Sequence, residues 1–316
     1  MQKFLAYSLL IFMLFAGVAH AEWKNRAAAR KIAGGEGKYF MNPRWSPDGT
    51  KLAFSEMRYH GLWVMNSDGS SLRQVSDEDA AGFAFEWSAD SQTLLARVAK
   101  FENNRRYNAV KLFDLATNET KALTEYRTFM PGLPHWSASD DKVYMFNRDQ
   151  IEVFATGKAA PEAAATKARA PIHFLKDGNL AVGNLADLQY KTFAPLAEQQ
   201  YLNLVLSPDR AKIAFEVKGG NLFVLNIDGS GLIDLGSGHR PQWSPTSDYL
   251  VYMMTGDDGH QFLAAEIYTI KADGTEKTNL TNTPDVLEMN PSWGPGNRIA
   301  FDVMDEGEIY VIELVR

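Results

Sequence analysis

The chain has 316 residues, of which 45% are hydrophobic and 22% are charged, and this globular composition excludes a disordered chain or a low-complexity fibre. With 32 Lys and Arg against 39 Asp and Glu, the formal net charge is −7, so the sequence does not favour binding to nucleic acid or to an anionic membrane surface. Cysteine is absent, which excludes disulfides, thiolate metal sites and a cysteine nucleophile.

The first part of the chain has the three features of an export signal. Lys3 supplies the basic part, residues 5–18 are apolar, and Ala19-His20-Ala21 is a small-x-small cleavage site. The apolar stretch is short for a membrane span, and no second stretch of about 18 apolar residues follows it. We therefore predict a cleaved signal peptide (1–21), a mature domain (22–316) without stable membrane insertion, and a periplasmic location. An uncleaved anchor and full secretion are the alternatives.

One motif recurs along the rest of the chain: an aromatic anchor, a Ser-Pro-Asp-Gly-like turn and a short apolar run. The anchors lie at positions 45, 87, 136, 174, 206, 243 and 293, about 41 residues apart on average. This spacing is the period of a four-stranded propeller blade. The sequence therefore predicts an all-β fold, a single β-propeller of seven four-stranded blades. Six blades are the alternative if the short copy near residue 174 only extends a neighbouring blade.

The residues of each copy fit this interpretation. Ser46-Pro47-Asp48-Gly49 suits a type I turn, with Pro presetting φ at its second position. The apolar runs that follow, such as Ile213-Ala214-Phe215, suit strands buried on both faces. Asp-Gly pairs then mark a second turn before a more polar outer strand. The last copy lacks that outer strand, and residues 30–34 resemble one, so we expect an N-terminal strand to close the ring.

The motif resembles the repeat of the TolB-like propellers, which belong to the PD40 or WD40-like class. The resemblance rests on residues 43–54, 207–215, 241–252 and 291–312 and extends over nearly all of the chain after residue 21. It covers the propeller half of TolB and not its N-terminal domain. It implies a non-enzymatic scaffold of the cell envelope that binds an envelope or periplasmic protein, alone or within a larger complex.

Motifs for catalysis and cofactor binding are absent from the sequence. Neither Gly-x-Ser-x-Gly nor His-Glu-x-x-His occurs, and no phosphate-binding glycine loop is present. The Asp-Gly-Ser and Asp-Gly-Thr turns lack the alternating acids and distal Glu of a calcium loop. We therefore predict no catalytic residue, no metal site and no cofactor.

Polar residues recur just before the anchors, on strands that we expect to border the central channel. From these and from the positions two residues earlier, we select six candidate binding residues at the channel mouth: Arg44, Glu86, His135, His173, Arg240 and Gln242. Asn42, Asn203 and Asn290 occupy the earlier position in other copies. The simpler alternative is a solvated channel without a ligand.

The pattern places His135 and His173 at equivalent positions in consecutive blades. A metal pair is therefore conceivable, but no third histidine occupies such a position. A second alternative is a lyase or hydrolase in the channel that uses Glu86, His135 and His173 as acid, base or metal ligands. A third is a propeller that binds a small glycan or peptide.

Overall fold

The structure is a computed structural model that describes residues 23–35, 37–158 and 169–316. The predicted signal peptide (1–21) lies outside the described residues. Within the described ranges the chain forms strands and turns with one short 3-10 turn at Met57–Tyr59, and no helix is long and apolar enough to cross a membrane. Seven antiparallel sheets form a ring, which confirms the predicted all-β, seven-bladed propeller.

Two short strands, β1 (Lys24–Asn25) and β2 (Arg30–Ala33), precede the first blade. The first blade contains β3 (Phe40–Trp45), β4 (Lys51–Glu56), β5 (His60–Asn66) and β6 (Arg73–Ser76). The second contains β7 (Glu86–Trp87), β8 (Thr93–Glu102), β9 (Arg105–Asp114) and β10 (Thr120–Ala122). The third contains β11 (His135–Trp136), β12 (Lys142–Asn147) and β13 (Gln150–Ala155).

The fourth blade contains β14 (Ile172–Lys176), β15 (Asn179–Gly183) and β16 (Tyr190–Phe193). The fifth contains β17 (Tyr201–Leu206), β18 (Lys212–Val217), β19 (Asn221–Asn226) and β20 (Ile233–Ser237). The sixth contains β21 (His239–Trp243), β22 (Tyr249–Asp257), β23 (Phe262–Lys271) and β24 (Thr278–Asn279). The seventh contains β25 (Glu288–Gly294), β26 (Arg298–Val303) and β27 (Glu308–Val315).

The predicted turn joins the first two strands of a blade. In the first blade the Gly49 amide donates to the Ser46 carbonyl at 2.8 Å, and the φ of +69° at Gly49 is one that glycine adopts without strain. Asp48 accepts hydrogen bonds from the Ser46 hydroxyl (2.6 Å) and the Thr50 amide (2.9 Å). The turn therefore satisfies its own polar groups at the surface. The same Ser-Asp bond recurs in the second and fifth blades.

The N-terminal strands close the ring. In the seventh blade, one edge of β27 pairs with β26. β1 and β2 both pair with its other edge, with Arg30 opposite Val311. Trp23 packs edge-on against Tyr249 of the sixth blade and Trp293 of the seventh, with ring centroids 5.8 and 5.7 Å away. The predicted closure by an N-terminal strand is thus confirmed, and it leaves β27 without an open edge.

The fourth blade corrects one assignment made from the sequence. The anchor series places Phe174 on a first strand, beside the channel. In the structure, His173 of β14 lies opposite Val182 of β15, just as Ala214 of β18 lies opposite Val224 of β19. The Arg210 side chain, in the turn between the first two strands of the fifth blade, donates to the Pro171 carbonyl at 2.9 Å. β14 therefore begins at the end of the ring where these turns lie, as second strands do, whereas first strands end there.

The next turn gives the same result. After β15, the Asn184 side chain accepts a hydrogen bond from the Ala186 amide at 2.8 Å. After β9, the Asp114 side chain does the same with the Ala116 amide at 2.9 Å, in the turn that leads to the outer strand of the second blade. β16 is therefore an outer strand. Among the described residues, the third and fourth blades have three strands each.

Candidate functional site

The central channel widens into a cavity of about 610 Å³ at the end of the ring where the Ser-Pro turns lie. We call this end the turn-side mouth, and its wall includes residues from all seven blades. One lining residue from each blade in order is Pro47, Trp87, Trp136, His173, Leu206, Trp243 and Trp293. Its volume lies within the range of roughly 300–1,000 Å³ that is usual for ligand-binding clefts.

The anchor tryptophans hold the wall of the mouth together. The indole of Trp87 donates to the backbone carbonyl of Arg44 in the preceding blade at 3.1 Å, and the indole of Trp243 donates to that of Val205 at 3.0 Å. Trp45, Trp136, Trp243 and Trp293 are each only 7% exposed. These side chains pack between blades, and their remaining exposed edges face the cavity.

Glu86 and His135 form the polar part of the wall. His135 Nδ1 lies 2.6 Å from Glu86 Oε1, and Glu86 Oε2 accepts the Trp136 amide at 3.2 Å. The His135 ring centroid lies 4.8 Å from that of His173. The structure therefore brings these three predicted residues together, across the second, third and fourth blades.

His173 reaches this cluster from a different strand than the sequence predicts. The prediction of equivalent positions for His135 and His173 is wrong, because β11 is a first strand and β14 takes the place of a second strand. On that strand His173 occupies the position where Ala214 stands in the fifth blade. An imidazole there is large enough to reach the channel.

His173 is uncharged in this setting. It is 8% exposed, and its backbone amide donates to the Tyr144 hydroxyl at 3.3 Å. No described residue forms a hydrogen bond with its Nδ1. Burial lowers the pKa of His173 well below its usual range, and the nearby His135 and Arg210 lower that pKa further. Within the described ranges, no group of three or more His, Asp or Glu side chains is arranged to hold a metal ion.

The structure separates the other three candidates. Gln242 lines the cavity on the sixth blade. Arg44 and Arg240 do not line it: the Arg44 guanidinium donates to the Pro291 carbonyl at 3.3 Å, and that of Arg240 donates to the Tyr59 hydroxyl at 2.7 Å. The six residues thus form a cavity set of four and an arginine pair.

The residues three positions before the anchors have a conformational role. Four of them lie at irregularities in first strands and have positive φ: Asn42 (58°), Asn203 (50°), Arg240 (52°) and Asn290 (51°). Asparagine tolerates this left-handed conformation better than most residues do. Part of the polarity that the sequence shows beside the channel therefore serves the backbone.

Two buried carboxyl groups fasten these irregularities between blades. Asp302 of the seventh blade accepts the Asn42 amide at 2.8 Å and the Asn290 side-chain amide at 2.9 Å. Glu216 of the fifth blade likewise accepts the Asn203 side chain at 2.7 Å and the Arg240 amide. Asp302 is 2% exposed, and burial raises its pKa to about 7 although both hydrogen bonds and the nearby arginines lower it.

No family model matches the sequence, and no curated protein matches it either. Solved structures do match. A protein from Agrobacterium tumefaciens named as TolB is 17% identical, with a TM-score of 0.57 over 93% of this chain and 97% of that chain. The β-propeller domain of Cps50 (Swd1) from Myceliophteria thermophila is 12% identical, with a TM-score of 0.63 over 91% and 100% of the two chains. The chain is a β-propeller.

In a third match, this chain spans only part of the length of the matched protein. TolB from Acinetobacter baumannii is 15% identical, with a TM-score of 0.54 over 81% of this chain, and the propeller spans 57% of that protein's length. Identities this low show the fold and not a shared activity.

Sequence reasoning missed several residues of the propeller channel. Tyr144 and Arg210 line the cavity, and Tyr59 holds Arg240. The sequence does carry a signal for the buried acids, because Glu216 and Asp302 each follow directly on an apolar Ile-Ala-Phe run. It carries none for Tyr59, whose contact with Arg240 depends on how the ring closes.

Proposed function

We propose that this propeller is a non-enzymatic binding scaffold of the cell envelope, exported to the periplasm by residues 1–21, and that its turn-side mouth holds a segment of a partner protein. The observation that carries this proposal is the cavity of about 610 Å³, which all seven blades line. A site of this kind is fixed in shape by the whole ring. It can therefore bind a segment without reorganising, which lowers the entropic cost of association.

The composition of the mouth supports a peptide as the occupant. Aromatic edges alternate with a few polar groups, a combination that is enriched at the centre of protein interfaces. Glu86 and His135 offer a hydrogen-bonded polar pair on one side, and Gln242 offers an amide on the sixth blade. Backbone and side-chain amides of an inserted segment are suitable partners for these groups.

The test compares two matched variants with the wild-type propeller. Glu86→Gln/His135→Gln changes the cavity, and His60→Gln/Asp79→Asn changes a second His-carboxylate pair, 3.0 Å apart and exposed outside the cavity. Each protein is tagged and used to capture cross-linked envelope proteins, and the captured partner is then purified and titrated against each variant. We expect the cavity variant to lose at least tenfold in affinity and the other variant to bind like wild type. Equal binding by both variants would contradict a site in the cavity.

The tryptophans supply a second measurement with the purified partner. Five of the seven tryptophans line the mouth: Trp45, Trp87, Trp136, Trp243 and Trp293. A segment that enters the cavity should change their fluorescence emission, because it replaces water beside the indoles. Binding without any change in emission would place the interface elsewhere on the ring.

The Glu86–His135 pair also favours a second candidate, a hydrolase or lyase in the same cavity. A carboxylate 2.6 Å from an imidazole nitrogen is the arrangement of an oriented general base. Turnover of a peptide or glycan that disappears in His135→Gln, while ligand binding is kept, would support the enzyme and overturn the scaffold.

A further inference from the structure

Arg44 and Arg240 are two half-buried arginines beside the channel, and neither forms an ion pair with a described residue. Arg44 lies on the first strand of the first blade and Arg240 on that of the sixth. In the described part of the chain, no Asp or Glu oxygen lies within 4.0 Å of either guanidinium group. Each guanidinium has five N–H donors, so most of these donors are left for other partners.

Tyr59 fixes the position of Arg240. The Tyr59 hydroxyl accepts from the Arg240 guanidinium at 2.7 Å, and the ring centroid of Tyr59 lies 5.9 Å from the guanidinium carbon. Tyr59 in turn packs edge-on against Phe83 at 5.2 Å. Because Tyr59 belongs to the first blade, this contact brings the Arg240 side chain from the sixth blade to the blade that carries Arg44.

The charge of Arg240 acts on Arg44. Burial lowers the pKa of Arg44 to about 10, and the charge of Arg240 is the next contribution to this lowering. Asp302 acts in the opposite direction, but its oxygens are bonded to Asn42 and Asn290. Since burial also raises the pKa of Asp302 to about 7, its carboxyl group balances the two positive charges only in part at neutral pH.

We propose that Arg44 and Arg240 bind an oxyanion, a carboxylate or phosphate group, in the channel outside the cavity set. The planar guanidinium group of an arginine suits paired hydrogen bonds to such an anion, and the contact with Tyr59 brings that of Arg240 to the blade that carries Arg44. The Tyr59 hydroxyl holds the Arg240 guanidinium and so supports that side of the site. The bound anion removes the repulsion between the two arginines, so it stabilises the folded propeller.

The test uses small anions and the purified protein. Thermal unfolding is followed in citrate, in succinate and in phosphate, each against sodium chloride at the same ionic strength. Wild type should show a saturable rise in Tm of about 2 °C or more with at least one anion. Arg44→Met and Arg240→Met should abolish this rise, and Arg105→Met, which removes an exposed arginine, should keep it.

The anions distinguish the source of the oxyanion. A response to citrate and succinate alone assigns a carboxylate, a response to phosphate alone assigns a phosphate group, and both support the proposal. No saturable response, or the same response in the two arginine variants, overturns it. If the Met variants fail to fold, Arg44→Lys and Arg240→Lys keep the charge and should weaken the anion response at least threefold. Because the test contains no partner protein, its result is independent of whether a segment binds in the cavity.

Discussion

Asp302 has two functions at a single buried position. It joins the seventh blade to the first through the Asn42 amide and the Asn290 side chain, and it lies beside Arg44 and Arg240. Its pKa is raised by burial to about 7, above the value of about 3.9 for an unfolded chain. The folded protein therefore holds a proton that the unfolded chain releases between about pH 4 and pH 7.

This pKa predicts how stability depends on pH. For a group whose pKa is higher in the folded state, the contribution to stability is complete below the unfolded pKa and is lost as the pH rises through about 7. In Asp302→Asn this loss is absent, so between pH 4 and pH 8 the free energy of unfolding of the variant should gain about 3 kcal/mol relative to wild type. Urea denaturation at several pH values measures it, with the exposed Asp305→Asn as the control. Parallel curves for Asp302→Asn and wild type would contradict the prediction.

Gly294 marks the closest approach of the seventh and first blades. A methyl group on its Cα would lie 2.4 Å from Cγ of Trp45. Gly294→Ala should therefore wedge these blades apart and cost about 1–3 kcal/mol or more of unfolding free energy. At Gly256 the nearest atom would be 3.9 Å away, so Gly256→Ala should change stability little. Chemical denaturation of both variants checks this, and equal midpoints would show that the interface yields easily.

The packing of the N-terminal segment that contains β1 and β2 centres on the side chain of Trp23. Trp23 immediately precedes β1, is 8% exposed and packs against Tyr249 and Trp293. The Arg316 guanidinium carbon lies 4.4 Å from its ring centroid. This contact anchors the N-terminal segment against the sixth and seventh blades.

Removing the indole tests the closure. Trp23→Ala should cost about 3–5 kcal/mol, because it deletes a large buried side chain. The backbone amides of β27 that face β2 should then exchange with deuterium faster than those that face β26. Lys24→Ala, at an exposed position of β1, serves as the control. Unchanged exchange along β27 in Trp23→Ala would mean that β2 pairs without this anchor.

The strand order of six of the seven blades could be predicted from the sequence, because their first strands end in an anchor and a Ser-Pro-type turn. The fourth blade could not be placed correctly, because Phe174 is aromatic like the anchors but belongs to a second strand. The signal was available: Ile172-His173-Phe174 has the same pattern as Ile213-Ala214-Phe215. The spacing of the repeat instead favoured Phe174 as an anchor. The likeness to a second strand was hard to see because His173 stands where the fifth blade has Ala214.

At the scale of the whole molecule, the sequence could predict only those site residues whose positions are set by the repeated motif. Glu86, His135 and Gln242 precede anchors, so their position beside the channel follows from the motif. The positions of Arg44 and Arg240 outside the cavity do not follow from the motif, because they depend on contacts with Pro291 and Tyr59, each on another blade. Contacts across the ring are set by closure and not by local sequence.

The predicted signal peptide can be tested by following the location of the whole chain. With residues 1–21 present, we expect the propeller in the periplasmic fraction, with a mature protein whose mass corresponds to a first residue Glu22. Deleting residues 2–21 should retain a folded protein in the cytoplasm, because the deletion removes the predicted targeting signal and leaves the propeller strands intact. Cell fractionation and intact mass spectrometry measure both outcomes. A membrane-bound protein of full length would instead support an uncleaved anchor.

The pairing of β2 with β27 determines the order in which the molecule can be completed. A long stretch of sequence, residues 34–308, separates Ala33 of β2 from Ile309 of β27. Individual blades can form from neighbouring residues, but the seam must wait until both β2 and β27 are available. Until they pair, β27 exposes an edge, so the chain is most vulnerable to aggregation and proteolysis before the ring closes.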